Sequence, residues 1–157
     1  MPRKPTAADA ELILKLYDLR REAEMRKARN WWFVNFWPES ADDLLKMATA
    51  MGSQENAWFR QVAGYWNLAA RLALEGTIHQ ELFLDPSFSG EMFVLFAKVK
   101  PFLKEVREKM QNPRVLANVE KLINASKESR EFLKYMETQL ANRRKMMTEK
   151  AGMAKAS

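Results

Sequence analysis

The sequence contains no cysteine and only one histidine, and residues that interrupt helices are scarce. Without cysteine the chain forms no disulfide bond, has no thiolate nucleophile and binds neither Cys-ligated zinc nor an iron–sulfur cluster. Five glycines and six prolines are spread over 157 residues, while the helix formers Ala, Leu, Lys, Glu, Arg and Met dominate. Because few segments alternate polar and apolar residues, we predict an all-α fold.

A long hydrophobic run is also absent. The longest apolar stretch, Phe93–Val99, is interrupted by Lys98 and is far shorter than the roughly 20 residues of a membrane-spanning helix. The first residues, Met-Pro-Arg-Lys-Pro-Thr, lack the apolar segment of a secretory signal. We therefore expect a cytoplasmic protein with no transmembrane segment, and its 47% hydrophobic residues favour one packed core.

Positive charge is concentrated at the two ends of the chain. The net charge is +3 over residues 1–29, −2 over residues 30–111 and +5 over residues 112–157. Basic ends attract nucleic acid, anionic lipid or acidic proteins. Acidic residues interleave with the basic ones at both ends, and no nucleic-acid-binding motif is present. Nucleic acid is therefore not an expected partner, whereas a membrane surface stays an alternative.

Capping signals and apolar spacing predict a single-domain bundle of five to seven helices with long terminal helices. Thr6 and Asp9 form a capping box at the start of the first helix, whose helical pattern continues toward the aromatic run described below. Gly76 suits the end of the third helix. Asp85-Pro86 and Asn112-Pro113 each combine an N-cap residue with a proline in the first turn, so we expect a helix to start at each.

The sequence divides into a flexible basic leader (residues 1–5), a helical domain (residues 6–141) and a basic tail that frays (residues 142–157). Near the C-terminus, steps of four and three residues separate the positions of a heptad-like seam, which is typical of a coiled coil: Val115, Val119, Leu122, Ser126, Ser129, Leu133, Met136 and Leu140. Two serines weaken this seam, so a break into two helices near residues 125–127 is an equal alternative.

Aromatic residues crowd into one heptapeptide, Trp31–Trp37, which holds five of the seventeen in the chain. They form a core, a partner interface or a membrane-surface contact. At helical spacing they cover several faces, so we expect at least one or two of them to be exposed or at an interface. Together with the C-terminal seam they supply the predicted interface residues, which are Trp31, Trp32, Phe36, Trp37, Leu122, Leu133, Met136 and Leu140.

Residues that carry chemistry are not organised into a recognisable site. The single histidine, His79, has no partner set for zinc, and we interpret it as a surface or structural residue. Phosphate-binding glycine loops, nucleophile elbows and histidine–carboxylate metal motifs are all missing from the sequence. We therefore predict no catalytic residue, no metal site, no cofactor and no enzymatic activity.

A narrow polar stripe on the third helix is a weak candidate for binding an anion or ligand. Arg60, Asn67 and Arg71 share it with Glu75, and guanidinium groups suit carboxylates and phosphates. The simpler interpretation is a solvent-exposed face on which Arg71 pairs with Glu75 at i,i+4.

Several short stretches resemble a bacterial family of helical domains of unknown function. They are Tyr65-Trp66-Asn67, Ala73-Leu74-Glu75-Gly76-Thr77-Ile78, Lys100-Pro101-Phe102 and Arg107. In this pattern an apolar helix ends at a glycine, and a long helix with an internal proline and a later arginine follows. The resemblance implies an all-helical fold and no particular chemistry.

Three functional hypotheses follow. The first is a non-catalytic protein–protein interaction module that self-associates through helix faces, most simply as a homodimer. The second is an adaptor for a membrane surface or an acidic partner, using the basic ends and Trp31–Trp37. The third is a helical bundle that binds a small ligand between the third helix and the Pro101 helix, in a pocket lined by Trp66, Phe96 and an arginine.

Overall fold

The computed structural model describes residues 3–157, and that part of the chain is all-α, with eight α-helices, one π-helical turn and no β-strand. The elements in chain order are α1 (Ala7–Leu19), α2 (Ala23–Asn30), the π turn (Trp31–Asn35), α3 (Ala41–Thr49), α4 (Gln54–Leu74), α5 (Gln80–Leu84), α6 (Pro86–Lys109), α7 (Ala117–Asn124) and α8 (Lys127–Ala156). The fold class is confirmed. The helix count exceeds the expected five to seven because the chain also breaks at residues 20–22, where we expected a continuous helix.

Local sequence signals explain where several helices begin. The Thr6 hydroxyl accepts from the Asp9 backbone N–H, and the Asp9 carboxylate accepts from the Thr6 N–H, which completes the predicted capping box of α1. Asp85 caps α6, whose first residue is Pro86. The prediction at Asn112-Pro113 is wrong, because α7 begins only at Ala117. Asn112 instead stabilises the turn before α7, because its side chain accepts a hydrogen bond from the backbone N–H of Arg114.

The C-terminal seam is divided between two helices. Ser126 caps α8 by accepting the N–H of Ser129 at 3.1 Å, so the alternative with a break at this point is the one observed. Helix α8 then continues to Ala156 and includes nearly all of the segment predicted as a tail. At the other end, Met1 and Pro2 of the predicted leader lie outside the described residues, while Arg3 donates to Asp9 and to the carbonyl of Gly76.

Helices α4 and α6 lie at the centre of the fold. Helix α4 packs against α2, α3 and α7, while α6 packs against α3 and α8. Their inward faces bury Val62, Trp66, Met92, Phe93, Leu95 and Phe96. Each such side chain contributes about 1.5–3 kcal/mol when it is fully removed from water. Helix α4 corresponds to the third helix of the sequence analysis, and its central position agrees with its nearly continuous apolar surface.

Candidate functional site

The π turn decides where the aromatic run points. The backbone N–H of Phe36 donates to the carbonyl of Trp31 at 2.9 Å, which is the i→i+5 bond of a π turn. This extra residue brings Trp31 and Phe36 together as stacked rings 4.6 Å apart, while Trp32 stacks on Phe59 of α4 at 5.1 Å. None of the five aromatic side chains of Trp31–Trp37 is exposed. We expected at least one or two of them to be exposed or at an interface. Trp31, Phe33 and Trp37 are half-buried, so the interface part of that expectation stays a prediction.

Half of the predicted interface residues belong to the chain's own core. Trp32, Phe36, Leu122 and Leu133 are all buried, so they offer no surface to a second molecule and the interface prediction is corrected at these positions. The other four predicted residues, Trp31, Trp37, Met136 and Leu140, are half-buried and pack partly against the body of the protein. The large exposed apolar residues lie elsewhere, with Met146, Met147 and Met153 near the end of α8.

Lys98 of α6 is buried beneath the π turn, with only 3% of its surface exposed. Its Nζ donates to the carbonyls of Trp32 at 2.7 Å and Phe36 at 2.9 Å, and it lies 3.9 Å from the centre of the Trp37 ring. Among the described residues no carboxylate pairs with it. Burial, together with the nearby positive charges of two arginines on α8, lowers the pKa of Lys98 to about 7.

Two arginines of α8 complete a cationic cluster around Trp37. The guanidinium carbons of Arg143 and Arg144 lie 6.0 and 5.6 Å from the centre of its ring, within reach of a cation–π interaction. Arg144 also donates to the carbonyl of Pro38 at 3.2 Å. This cluster attaches α8 to the loop after the π turn, and every residue from Lys145 to the C-terminus is exposed.

A second buried cation lies where α1 ends. Arg20 is only 4% exposed and donates from Nη1 to the carbonyl of Phe88 at 3.2 Å. The same Nη1 atom lies 3.6 Å from the Glu91 carboxylate, and Arg29 of α2 donates to that carboxylate from both Nε and Nη2. A single carboxylate therefore serves two guanidinium groups and connects α2 and α6 to the turn after α1.

The first described residues are anchored by Asp9. Its buried carboxylate accepts two hydrogen bonds of 2.6 Å from Arg3, one from the Thr6 hydroxyl and one of 2.8 Å from the N–H of His79. The Arg3 guanidinium in particular holds the pKa of Asp9 well below its usual range. His79 itself is the buried N-cap of α5, which agrees with the structural interpretation and not with a surface position.

A groove of about 710 Å³ lies next to this anchor, between α5, the start of α6 and the start of α8. Its lining is mixed, with the apolar side chains of Leu84 and Phe93 beside the polar ones of Arg3, His79 and Glu128. Its volume falls in the range of about 300–1,000 Å³ that is usual for small-molecule sites. Trp66 and Phe96, which were predicted to line a ligand pocket, do not line this groove, because both side chains are fully buried in the core.

The predicted polar stripe of α4 serves separate structural tasks. Arg60 donates to the side chain of Asn56 at 2.9 Å, and Arg71 pairs with Glu75 on an exposed face, as in the simpler interpretation. Asn67 accepts backbone N–H groups at the start of α7. Asn67 and Arg71 line one recess of about 500 Å³ together with Arg114, and Arg60 lies outside that recess.

Sequence reasoning missed Lys98 and the Arg20–Glu91–Arg29 network as features of the interior. Lys98 left a signal, because it interrupts the longest apolar run, whereas Arg20 left none, because the sequence predicted a continuous helix through it. Their partners lie 62 or more residues away in the chain, which no local pattern reveals.

Within residues 3–157, no group of three His, Asp or Glu side chains is placed to hold a metal ion. In the same range, no helix has the length and apolar character needed to cross a membrane.

Comparison with known proteins adds a family but no activity. The sequence model of a family described as "Domain of unknown function (DUF4760)" matches residues 5–126, which include α1 to α7. The search of the curated proteins and the search of the solved structures gave no match. The resemblance to a helical family of unknown function is confirmed, and α8 lies beyond the matched residues.

Proposed function

Because the chain belongs to the DUF4760 family, whose description carries no activity, we propose a function from its surface: a non-catalytic interaction module that self-associates as a homodimer through the end of α8. The supporting observation is the exposure of every residue from Lys145 to Ala156, after the last contacts of α8 at Arg143 and Arg144. At 1.5 Å per residue this free end is about 18 Å long.

Most of the stability of a helix in a protein comes from tertiary packing of an apolar face, which this end of α8 lacks in the single chain. Met146, Met147 and Met153 are exposed, and at 100° per residue they lie within about 120° of the helix circumference. Methionine side chains adapt to irregular apolar surfaces. A second copy of the helix would cover this face, extending the half-buried positions Met136 and Leu140 along the same helix.

The charge of the free end favours one further candidate, an acidic protein partner. Residues 145–157 contain three lysines but one acidic residue, Glu149. Two copies of this segment repel each other, and salt screens that repulsion over a Debye length of about 8 Å at physiological ionic strength. Self-association should therefore strengthen as salt is added, whereas binding to an acidic partner should weaken.

Light scattering coupled to size-exclusion chromatography tests the proposal. We expect a dimer mass for the full chain at high concentration and a monomer mass for the Met153→Glu variant. Met51→Glu is the matched control, because Met51 and Met153 are 72% and 73% exposed and only the latter lies on the free end. A full chain that stays monomeric at every concentration and salt level contradicts the homodimer.

The membrane-surface hypothesis has less support than self-association, because Trp32 is buried and Trp31 and Trp37 are half-buried. Cytoplasmic location and bacterial origin stay predictions from the sequence.

A further inference from the structure

A small recess at the turn between α1 and α2 is lined mainly by arginines. Its volume is about 260 Å³, and it is lined by Tyr17, Arg20, Arg21 and Arg29. Glu91 is the carboxylate that pairs with Arg20 and Arg29. The recess therefore holds three guanidinium groups against one carboxylate, an excess of positive charge that a bound anion would balance.

The Arg20 guanidinium has an unused edge. Its Nη1 is occupied by the Phe88 carbonyl and faces Glu91, whereas its Nε is buried and has no hydrogen-bond partner. Its Nη2 donates to none of the described residues. Nε and Nη2 form the edge with which arginine binds two oxygens of a carboxylate or phosphate. Buried donors without a partner are rare in native proteins, so this edge needs an explanation.

Aromatic rings fix the plane of that guanidinium. The Tyr17 ring centre lies 4.3 Å from the Arg20 guanidinium carbon, and the centres of Trp66 and Phe88 lie at 5.5 and 5.3 Å. Trp66 and Phe88 are buried, while Tyr17 is 46% exposed. Tyr17, which also lines the recess, is therefore the most exposed of the three rings, and a ligand at the buried Nε edge requires this ring to move aside.

From this geometry we infer that the recess binds the phosphate group of a small molecule, or free phosphate, between Arg20, Arg21 and Arg29. The volume is below the range of about 300–1,000 Å³ for larger ligands, so it suits a compact group. Arg29 already donates from Nε and Nη2 to Glu91 and from Nη1 to the carbonyl of Arg20, so it contributes mainly its charge. Arg20 and Arg21 supply the hydrogen-bond donors, and a phosphate group brings more oxygens and more charge to them than a carboxylate does.

Isothermal titration of the full chain with inorganic phosphate, at constant ionic strength, tests this site. We expect saturable binding at one site. Arg21→Ala should weaken it by about tenfold or more, since a hydrogen bond to a charged group contributes roughly 1.5–3 kcal/mol. Arg21 is exposed and makes no hydrogen bond to a described side chain, so the variant should fold normally. Lys15→Ala removes the same charge from an exposed position of α1 and should leave the affinity unchanged.

Arg20→Lys provides a second test, because it keeps the charge and removes the two-donor edge. If circular dichroism shows that it folds, its phosphate affinity should fall at least as far as that of Arg21→Ala. A parallel titration with glycerol 3-phosphate identifies the source, since tighter binding than inorganic phosphate indicates a phosphate ester. The inference is overturned by a lack of saturable binding, by unchanged affinity in Arg21→Ala, or by an equal loss in Lys15→Ala.

Discussion

A buried lysine such as Lys98 usually pairs with a carboxylate. Instead, the carbonyl groups at the end of the π turn and the face of Trp37 surround its ammonium group. These carbonyls have no helical partner beyond the turn, so the lysine satisfies acceptors that would otherwise be buried without donors. The residue was visible in the sequence as an interruption of an apolar run. Its role was not visible, because the acceptors lie on a distant segment.

The depressed pKa of Lys98 predicts a pH-dependent stability. In the unfolded chain the group keeps its proton up to its ordinary pKa of 10.5, whereas in the folded protein it loses the proton at about 7. Between these values the unfolded state binds more protons, so the free energy of unfolding should rise with pH, by up to about 1.4 kcal/mol per unit. Urea unfolding at a series of pH values from 7 to 9 measures this rise.

The Lys98→Met variant should lose this dependence, while Lys104→Met, at an exposed position of the same helix, should retain it. If the free energy of unfolding of the wild-type protein and of Lys98→Met changed identically with pH, Lys98 would not be the source of the pH dependence.

The elements follow local signals wherever the decisive contacts are close in sequence. Thr6 and Asp85 were readable as helix caps because an N-cap bonds to a residue two or three positions ahead, whereas Ser126 was read only as a weak position of the seam. The π turn could not be predicted from the sequence. Its register is stabilised by Lys98 and by the stacking of Trp32 on Phe59, and both contacts come from other helices.

Deletion of Val34 should convert the π turn to α-helical spacing and rotate the following residues by about 100°. Phe36 would then leave the core, and we expect the free energy of unfolding to fall by about 3–5 kcal/mol, as for the loss of a buried aromatic side chain. Chemical denaturation measures the change. Val34→Ala is the control, because Val34 is exposed, and it should change stability by no more than about 0.5 kcal/mol. A deletion variant as stable as this control would show that the extra residue has no role.

At the scale of the whole molecule, the all-α class was predictable because composition and capping agree along the chain. The candidate sites were not, because each is assembled from distant segments. The predicted interface failed at Trp32 and Leu122 for the same reason, since apolar spacing marks a helix face without indicating whether a neighbour of the same chain covers it.

Removal of residues 145–157 should leave the rest of the molecule folded. These residues are exposed, so they bury no core surface, and the free energy of unfolding of the monomer should change by no more than about 0.5 kcal/mol. Urea unfolding at low protein concentration measures it. A chain that ends at Ser126 is the contrasting variant, which should unfold because it lacks the buried Leu133. A large loss of stability on removal of residues 145–157 would mean that the free end contacts the body of the protein.

The place of α8 in the fold affects when the core is completed during synthesis of the chain. The first half of this helix covers α6, where Phe132 lies edge-on to Phe93 with ring centres 4.8 Å apart. When residue 126 has been synthesised, every part of the family's matched domain exists, yet this strip of α6 is still open to water. This strip of α6 is covered only after the first half of α8 has been synthesised, so a nascent chain without that half exposes apolar surface that favours aggregation.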